Sequence, residues 1–356
     1  MTDLTMPTIN VTFKEAAKNV KQAGNRGVLA MIVKEAEKEA PQTYVFNKAE
    51  EIPAGLSAEN KAYVERAFLG NDTAPKKVIL YVGTDLAAGL TEMKKYKFSW
   101  LVGPQDLDQA GAQSIAEWIK DKWSEGESPR AVTANNAADH PGIVNLMEDT
   151  YTTADGTELS AAKYCSRIAG LICGTEVSKS ITFAVLDDLT SVSAKSRTEI
   201  DAAIKAGKLC AFNDGEKIKI ARGVTSLTTE QGAFTEAYKK IRLTDIICTV
   251  KEDITKLIAD RYIGKFANTY ENKCALIAAI RDYLSELAVD GVIEDTSSSQ
   301  IDVDAQRAWL VLTGKTEAAS WNENQVRQAN TGSKVFIKLM ISLLDAVEDV
   351  EIIAEY

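Results

Sequence analysis

Hydrophobic and polar positions along the first third of the chain predict strands that are separated by helices. Short apolar runs indicate buried strands, and the amphipathic stretches between them have helical spacing. The predicted strands are 28–33, 77–82, 97–102 and 130–134, and the predicted helices are 57–69 and 108–123. Strands that alternate with helices in this way favour a mostly parallel sheet covered by helices.

The clearest local signal in the chain is a tight hairpin at Asp214 and Gly215. An aspartate followed by glycine strongly favours a two-residue turn between antiparallel strands. A short apolar run at 208–212 precedes the pair, and residues 216–224 alternate between apolar and polar side chains. Hydroxyl side chains then offer a helix cap, so a helix is predicted over 228–246.

Apolar residues at helical spacing predict helices through most of the remaining chain. The predicted helices are 160–174, 196–206, 252–266, 272–288, 304–313 and 321–329, and strands are expected at 181–185 and 334–343. Small residues in the 160–174 helix favour close packing against a neighbour. The whole pattern predicts an α/β fold of mixed α+β character, with helices on a mixed sheet.

Both ends of the chain carry a short predicted strand, and the one near the start alternates between apolar and polar side chains and lies far from any hairpin partner. The apolar positions are Ile9, Val11 and Phe13 near the start, and Val350, Ile352 and Ile353 within 350–356. An isolated strand exposes unpaired backbone N–H and C=O groups, so it must pair with a distant segment or with another chain. Two interpretations therefore stay open, an edge strand of its own sheet and a strand exchanged between copies.

Composition limits the partners and the compartment. A chain of 356 residues predicts two domains, or one with a large insertion. The net charge of −10 argues against nucleic acid as the main partner, because phosphate binding needs a basic face. Five scattered cysteines suggest thiols in a reducing compartment. No signal peptide or membrane helix is expected, so the protein is predicted to be cytoplasmic when synthesised.

Motifs that carry chemistry are not evident in the sequence. Residues 82–89 lack the glycine spacing of a dinucleotide-binding loop, and no phosphate-binding loop follows any predicted strand. His140 is the single histidine and is predicted to cap the turn before Pro141. We therefore predict no catalytic, cofactor-binding or metal-binding residue. A nucleotide- or sugar-binding α/β enzyme, based on 28–134, remains the alternative from another class.

Several stretches, taken in order, resemble a known family. They are PTINVTF with AGNRGVLAMIV, then AADHPGIVNL, AAKYCSRIAGLICGT, NDGEKIKIARGVTSLTT, KKIRLTDII, YENKCALIAAIRDYLSEL, ANTGSKVFI and DAVEDVEI. Together they resemble contractile-tail sheath proteins, in particular the compact type of Gram-positive phages, defective prophages and phage-tail-like bacteriocins. The resemblance covers nearly the whole chain, and its specificity lies in the joint order of the stretches.

This resemblance implies a structural subunit that has no catalytic function. Subunits of the family stack as hexameric rings into a helical sleeve around an inner tube, and the sleeve contracts to drive the tube through a target cell envelope. The implied partners are copies of the chain, the inner tube protein, and baseplate and tail-terminator proteins. The product would leave the cell as part of a phage tail or phage-tail-like particle. A non-contractile, self-assembling tube or shell protein is the remaining alternative.

The resemblance also implies an organisation into domains and a contact with the tube. The expected segments are an N-terminal linking arm (1–23), an outer α/β domain (24–140), a core sheath domain (141–333) and C-terminal linking strands (334–356). Lys273 and Arg281 on the 272–288 helix are the first candidates for the tube contact, and the cluster of Lys239, Lys240 and Arg242 is the second. For both sets the alternative is an ordinary solvated helix face.

Overall fold

The structure, a computed structural model, describes residues 27–36 and 40–354. These residues form two compact units. The sheet unit contains 27–248 and 346–354, and the second unit contains 249–345. The predicted domain boundary after residue 140 falls inside the sheet unit, because strands on both sides of it are neighbours in one sheet.

The sheet unit is built on a mixed seven-stranded sheet. Its strands are β1 (Val28–Lys34), β2 (Gln42–Phe46), β3 (Lys77–Gly83), β4 (Trp100–Val102), β5 (Arg130–Ala134), β6 (Ile143–Leu146) and, later in the chain, β10 (Lys208–Leu209). They lie in the order β10-β6-β5-β4-β1-β3-β2. Every neighbouring pair is parallel except β2 with β3. The predicted α/β fold with a mixed sheet is confirmed.

Helices cover both faces of this sheet. Alternate residues of β1 divide between the two layers, with Met31 and Val33 in one apolar cluster and Ala30 and Ile32 in the other. The first layer holds α1 (Ala58–Ala67) and α4 (Ala161–Gly174), and the second holds α2 (Leu86–Met93) and α3 (Gln109–Ser124). Burial on both faces explains why these strands are continuous apolar runs in the sequence.

The small residues of α4 allow the predicted close packing. A Cβ atom at Gly170 would lie 1.9 Å from the backbone oxygen of Ala67 at the end of α1. No side chain fits in that space, so the two helices approach through their backbones. Ser57 caps α1 and Ser160 caps α4, each accepting a backbone N–H from the first turn.

Shorter strands and one further helix complete this part of the sheet unit. They are β7 (Tyr151–Thr153), β8 (Glu158–Leu159), β9 (Leu189–Ser191), α5 (Arg197–Lys205), β11 (Ala211–Asn213) and β12 (Ile218–Ile220). The predicted hairpin is confirmed as β11 and β12, with Gly215 at φ 102°. The predicted strand at 181–185 is wrong, because Phe183 has φ 60° and only Val185 forms a bridge.

The helix predicted over 228–246 begins later than expected. A short 3-10 helix occupies Glu236–Lys239, and α6 runs from Ile241 to Arg261. Thr228, the expected cap, instead donates its backbone N–H and its hydroxyl to the Asp139 carboxylate. The capping group is therefore used in a contact with a loop that lies far away in sequence.

The second unit, described by itself, is mostly helical. It contains the C-terminal half of α6, then α7 (Tyr270–Val289), β13 (Ser298–Ile301), α8 (Val303–Leu312), α9 (Glu323–Gln328) and β14 (Ile337–Met340). A 3-10 turn lies at Thr316–Ser320 in this unit, and another lies at Ala49–Glu51 in the sheet unit. β13 and β14 pair antiparallel. The predicted strand at 334–343 is therefore shorter than expected.

Candidate interface sites

The C-terminal segment, defined here as residues 346–354, presents apolar side chains to solvent. Val350 is 69%, Ile352 84% and Ile353 91% exposed. Residues 350–354 form no strand within the described single chain, where a strand was predicted. A segment of this kind presents apolar side chains and backbone groups with which a partner strand can pair. The exchange of this strand between copies stays a prediction.

One side chain of the C-terminal segment points inward, and it is charged. The Glu348 side chain is 4% exposed and accepts hydrogen bonds from Lys240 Nζ at 2.8 Å and Thr182 Oγ1 at 2.5 Å. Arg222 donates to both carboxylate oxygens of the next residue, Asp349, at 2.7 and 2.8 Å. Burial tends to raise the pKa of Glu348, but the hydrogen bonds from Lys240 and Thr182 outweigh it and leave the pKa below its ordinary value.

The candidates for strand exchange near the start of the chain lie outside the described residues. Ile9, Val11 and Phe13 belong to the stretch 1–26, which the structure does not describe. Their role stays a prediction from the alternating pattern.

The first pair of tube-contact candidates divides into one buried and one exposed side chain. Lys273 is buried within α7, and its Nζ donates to the backbone oxygen of Ala329 at 3.1 Å. Its burial leaves no ammonium for another protein to contact, because the side chain is already packed inside its own unit. Arg281 is exposed and donates from Nε to the backbone oxygen of Ser299 on β13 at 2.9 Å.

The second cluster of candidates is engaged within the sheet unit. Lys239 pairs with Glu230 at 2.6 Å, and Lys240 pairs with Glu348. Arg242 is buried in the first turn of α6. Sequence reasoning grouped these residues by their charge, whereas the fold directs each to a different place. The buried Glu348 was missed, because nothing local distinguishes it from its exposed acidic neighbours.

His140 is packed in a loop, as the sequence predicted. Its Nδ1 accepts the backbone N–H of Gly142 at 3.0 Å, and its ring meets the edge of Trp123 at a centroid distance of 4.9 Å. Burial lowers the pKa of His140 to about 4, and the positive charge of Lys120 acts in the same direction. The imidazole is therefore neutral near pH 7 and serves as a hydrogen-bond acceptor in the turn.

Replacing His140 with asparagine should flatten the pH dependence of stability. The pKa is depressed in the folded state, so the unfolded chain takes up the proton first and stability is lost as the pH falls below 6.5. We expect the wild type to lose about 2 kcal/mol of unfolding free energy between pH 8 and pH 5. Urea unfolding at both pH values measures this loss. An equal loss in the His140→Asn variant would contradict the assignment.

A small pocket lies at the carboxyl ends of the central strands, where an α/β enzyme would bind its ligand. Its volume is about 210 Å³, and its lining includes Lys34, Asp85 and Asp108. Both aspartates cap helices that begin at the pocket, Asp85 for α2 and Asp108 for α3. Two carboxylates at these helix N-termini disfavour the anion that a nucleotide would place there. Lys34 itself pairs with Asp106 at 2.8 Å.

Two further features are absent from the described part of the chain. None of its helices is both long and apolar enough to cross a membrane. Among the same residues, no group of three or more histidine, cysteine, aspartate or glutamate side chains is arranged to hold a metal ion.

Solved sheath proteins have the same fold as this chain. The helical sheath of the anti-feeding prophage in its contracted state matches with a TM-score of 0.69 and 12% identity, covering 99% of both chains. The sheath tail protein of Listeria innocua matches with a TM-score of 0.67 and 16% identity, covering 92% of this chain and 97% of that one. These matches show that the chain has the fold of sheath proteins.

Sequence comparison identifies the family of the chain. Residues 81–226 match the model of the phage tail sheath protein central domain, and residues 234–353 match that of the phage tail sheath C-terminal domain. A tail sheath protein of Clostridium phage phiCD119 is 36% identical over 354 residues, which is 97% of either chain. This chain belongs to the phage tail sheath protein family.

Proposed function

We propose that this protein is the structural subunit of a contractile tail sheath. Copies would form hexameric rings that stack helically around an inner tube, and contraction would drive the tube through a target cell envelope. The observation that carries the proposal is the 36% identity to a tail sheath protein over 97% of both chains. The fold match to a contracted helical sheath supports it.

Contraction in this proposal is a change between two packings of the same subunits, and no covalent bond is broken. Each packing is a discrete arrangement of interfaces, and the contracted one is lower in free energy once the trigger has acted. The subunits must stay connected while their main interfaces change. A segment that pairs through its backbone suits this role, because each strand hydrogen bond contributes only about 0.5–1.5 kcal/mol and several act together.

The proposed partners follow from this role. They are copies of this chain, the inner tube protein, and baseplate and tail-terminator proteins. The protein would be synthesised in the cytoplasm and released as part of a phage tail or phage-tail-like particle. For the tube contact, we retain the exposed face of α7 around Arg281, since Lys273 is buried. Arg281→Ala, assembled on an inner tube, is the variant that tests this contact.

Electron microscopy of the purified chain tests the function directly. At raised concentration we expect wide hollow tubes with helical cross-striation, and removal of residues 1–15 should abolish them because the predicted N-terminal strand is lost. Removal of residues 1–5, which leaves Ile9, Val11 and Phe13 in place, is the control. Small uniform particles at every concentration would contradict the proposal.

A further inference from the structure

The C-terminal segment reverses the usual distribution of side chains. Its apolar residues Val347, Val350, Ile352 and Ile353 are 69–91% exposed, whereas the side chain of Glu348 is only 4% exposed. A buried carboxylate is costly unless hydrogen bonds and opposite charges compensate for the lost hydration. The hydrogen bonds and charges around Glu348 must therefore offset this cost.

The partners of Glu348 come from separate parts of the sheet unit. Oε2 accepts from Lys240, directly before α6, and lies 3.8 Å from Nε of Arg222, two residues after β12. Oε1 accepts from the hydroxyls of Thr182 and Ser180, at 2.5 and 3.1 Å. The hydroxyl of Thr182 is in turn held by the backbone N–H of residue 223 at 3.0 Å. The carboxylate is thus enclosed by donors that the fold itself positions.

Charge-assisted hydrogen bonds fix a position, because they are short and directional. Apolar contacts are non-directional. If the segment were attached through an apolar residue, the neighbouring apolar residues that must remain available to a partner could take the place of that residue. An ionic attachment avoids this competition. It holds one point of the segment while Val350, Ile352 and Ile353 stay exposed.

We propose that Glu348 is the anchor that sets where the C-terminal segment leaves the subunit, with Lys240, Arg222 and Thr182 as its seat. The proposal rests on the proposed function of the segment in linking copies. Residues up to 348 are held on their own subunit, and residues from 350 onward reach a second copy. The anchor shortens the stretch of chain that links the two copies, which raises the effective concentration of the exchanged strand at its site. Glu348 is thus a positioning residue.

Proteolysis of the segment tests the anchor in the full-length chain, below the concentration at which tubes form. Thermolysin cleaves before large apolar residues and needs an extended, detached substrate, so an anchored segment is protected at the bond before Val347 and the bond before Val350. We expect Glu348→Gln to speed cleavage at these bonds about tenfold, measured by mass spectrometry, with no change in the melting temperature of the sheet unit. Glu351→Gln, an exposed acidic neighbour in the same segment, is the matched control and should match the wild type.

A second variant separates the anchor from a general loss of structure. Lys240→Met should also speed cleavage about tenfold, and the double variant should be no more than about twofold faster than either single variant, because both remove one interaction. Cleavage of both single variants within twofold of the wild type would overturn the proposal, and so would independent, multiplying effects. If Glu348→Gln does not fold, the cleavage rate of Lys240→Met alone tests the anchor.

Assembly then provides a readout that a merely structural role would not change. With the melting temperature unaltered, Glu348→Gln should raise the concentration at which tubes first form by about threefold or more, because the linking strand is held less closely to its site. An unchanged threshold would contradict the anchor. If the wild type forms no tubes, the proposed function fails, while the proteolysis result still decides whether Glu348 holds the segment.

Discussion

A chain that ends after Asp349 should fold normally and form no tubes. The removed residues 350–356 include Val350, Ile352 and Ile353, which are 69–91% exposed, so the loss of these three side chains removes little packing from the subunit. The melting temperature should therefore stay within about 2 °C of the wild type, as for other surface changes. The shortened chain keeps the buried Glu348 but lacks the backbone groups that would pair with a second copy.

The measurement is electron microscopy at the concentration where the full chain forms tubes, together with thermal unfolding. Ile353→Val is the matched control, since it preserves a β-branched apolar side chain and every backbone group. Normal tubes from the shortened chain would show that residues 350–356 do not link copies. A large fall in melting temperature would show instead that it belongs to the subunit core.

Asp245→Ala should lower the free energy of unfolding of the sheet unit by about 3–5 kcal/mol. Asp245 lies in the second turn of α6, and its Oδ1 is 3.0 Å from both the Trp100 indole nitrogen and Arg130 Nε. The side chains of Arg130 and Asp245 are fully buried. Without the carboxylate, a buried guanidinium on β5 and an indole N–H on β4 lose this acceptor, and burial prevents water from replacing it.

Thermal unfolding provides the check, with an expected fall of roughly 10 °C for a unit of this size. Asp201→Ala is the matched control, because Asp201 pairs with Arg197 on the exposed surface of α5 at 3.8 Å. An exposed pair of this kind contributes less than about 1 kcal/mol, so this variant should melt close to the wild type. Equal effects of the two substitutions would contradict the importance of burial.

Local signals predicted the elements whose determinants lie within a few residues. The predicted helices 57–69, 108–123, 160–174 and 196–206 begin at Ser57, Asp108, Ser160 and Ser196, and each of these side chains accepts a backbone N–H from the first turn of its helix. The hairpin at Asp214 formed as expected for the same reason, since its carboxylate accepts the backbone N–H groups of the turn. Such interactions need no distant partner.

Signals that depend on distant residues were predicted less well. Thr228 was expected to cap a helix, but Asp139, 89 residues earlier, takes its donors. The strands β5 and β6 flank the expected domain boundary, yet they pair in one sheet. Lys240 was grouped with Arg242 by sequence proximity, whereas its partner Glu348 lies 108 residues later. In each case the missing information was which segments meet.

The sequence by itself determined the alternation of strands and helices, the caps, the tight hairpin and the family, because these depend on short-range patterns and on their order along the chain. The tertiary structure alone decided which charged side chains are exposed, since burial depends on what packs over a residue. Glu348 and Glu351 are alike in sequence, three positions apart. The seat formed by Lys240, Arg222 and Thr182 encloses only the first of them, because those three donors converge where the chain passes at residue 348.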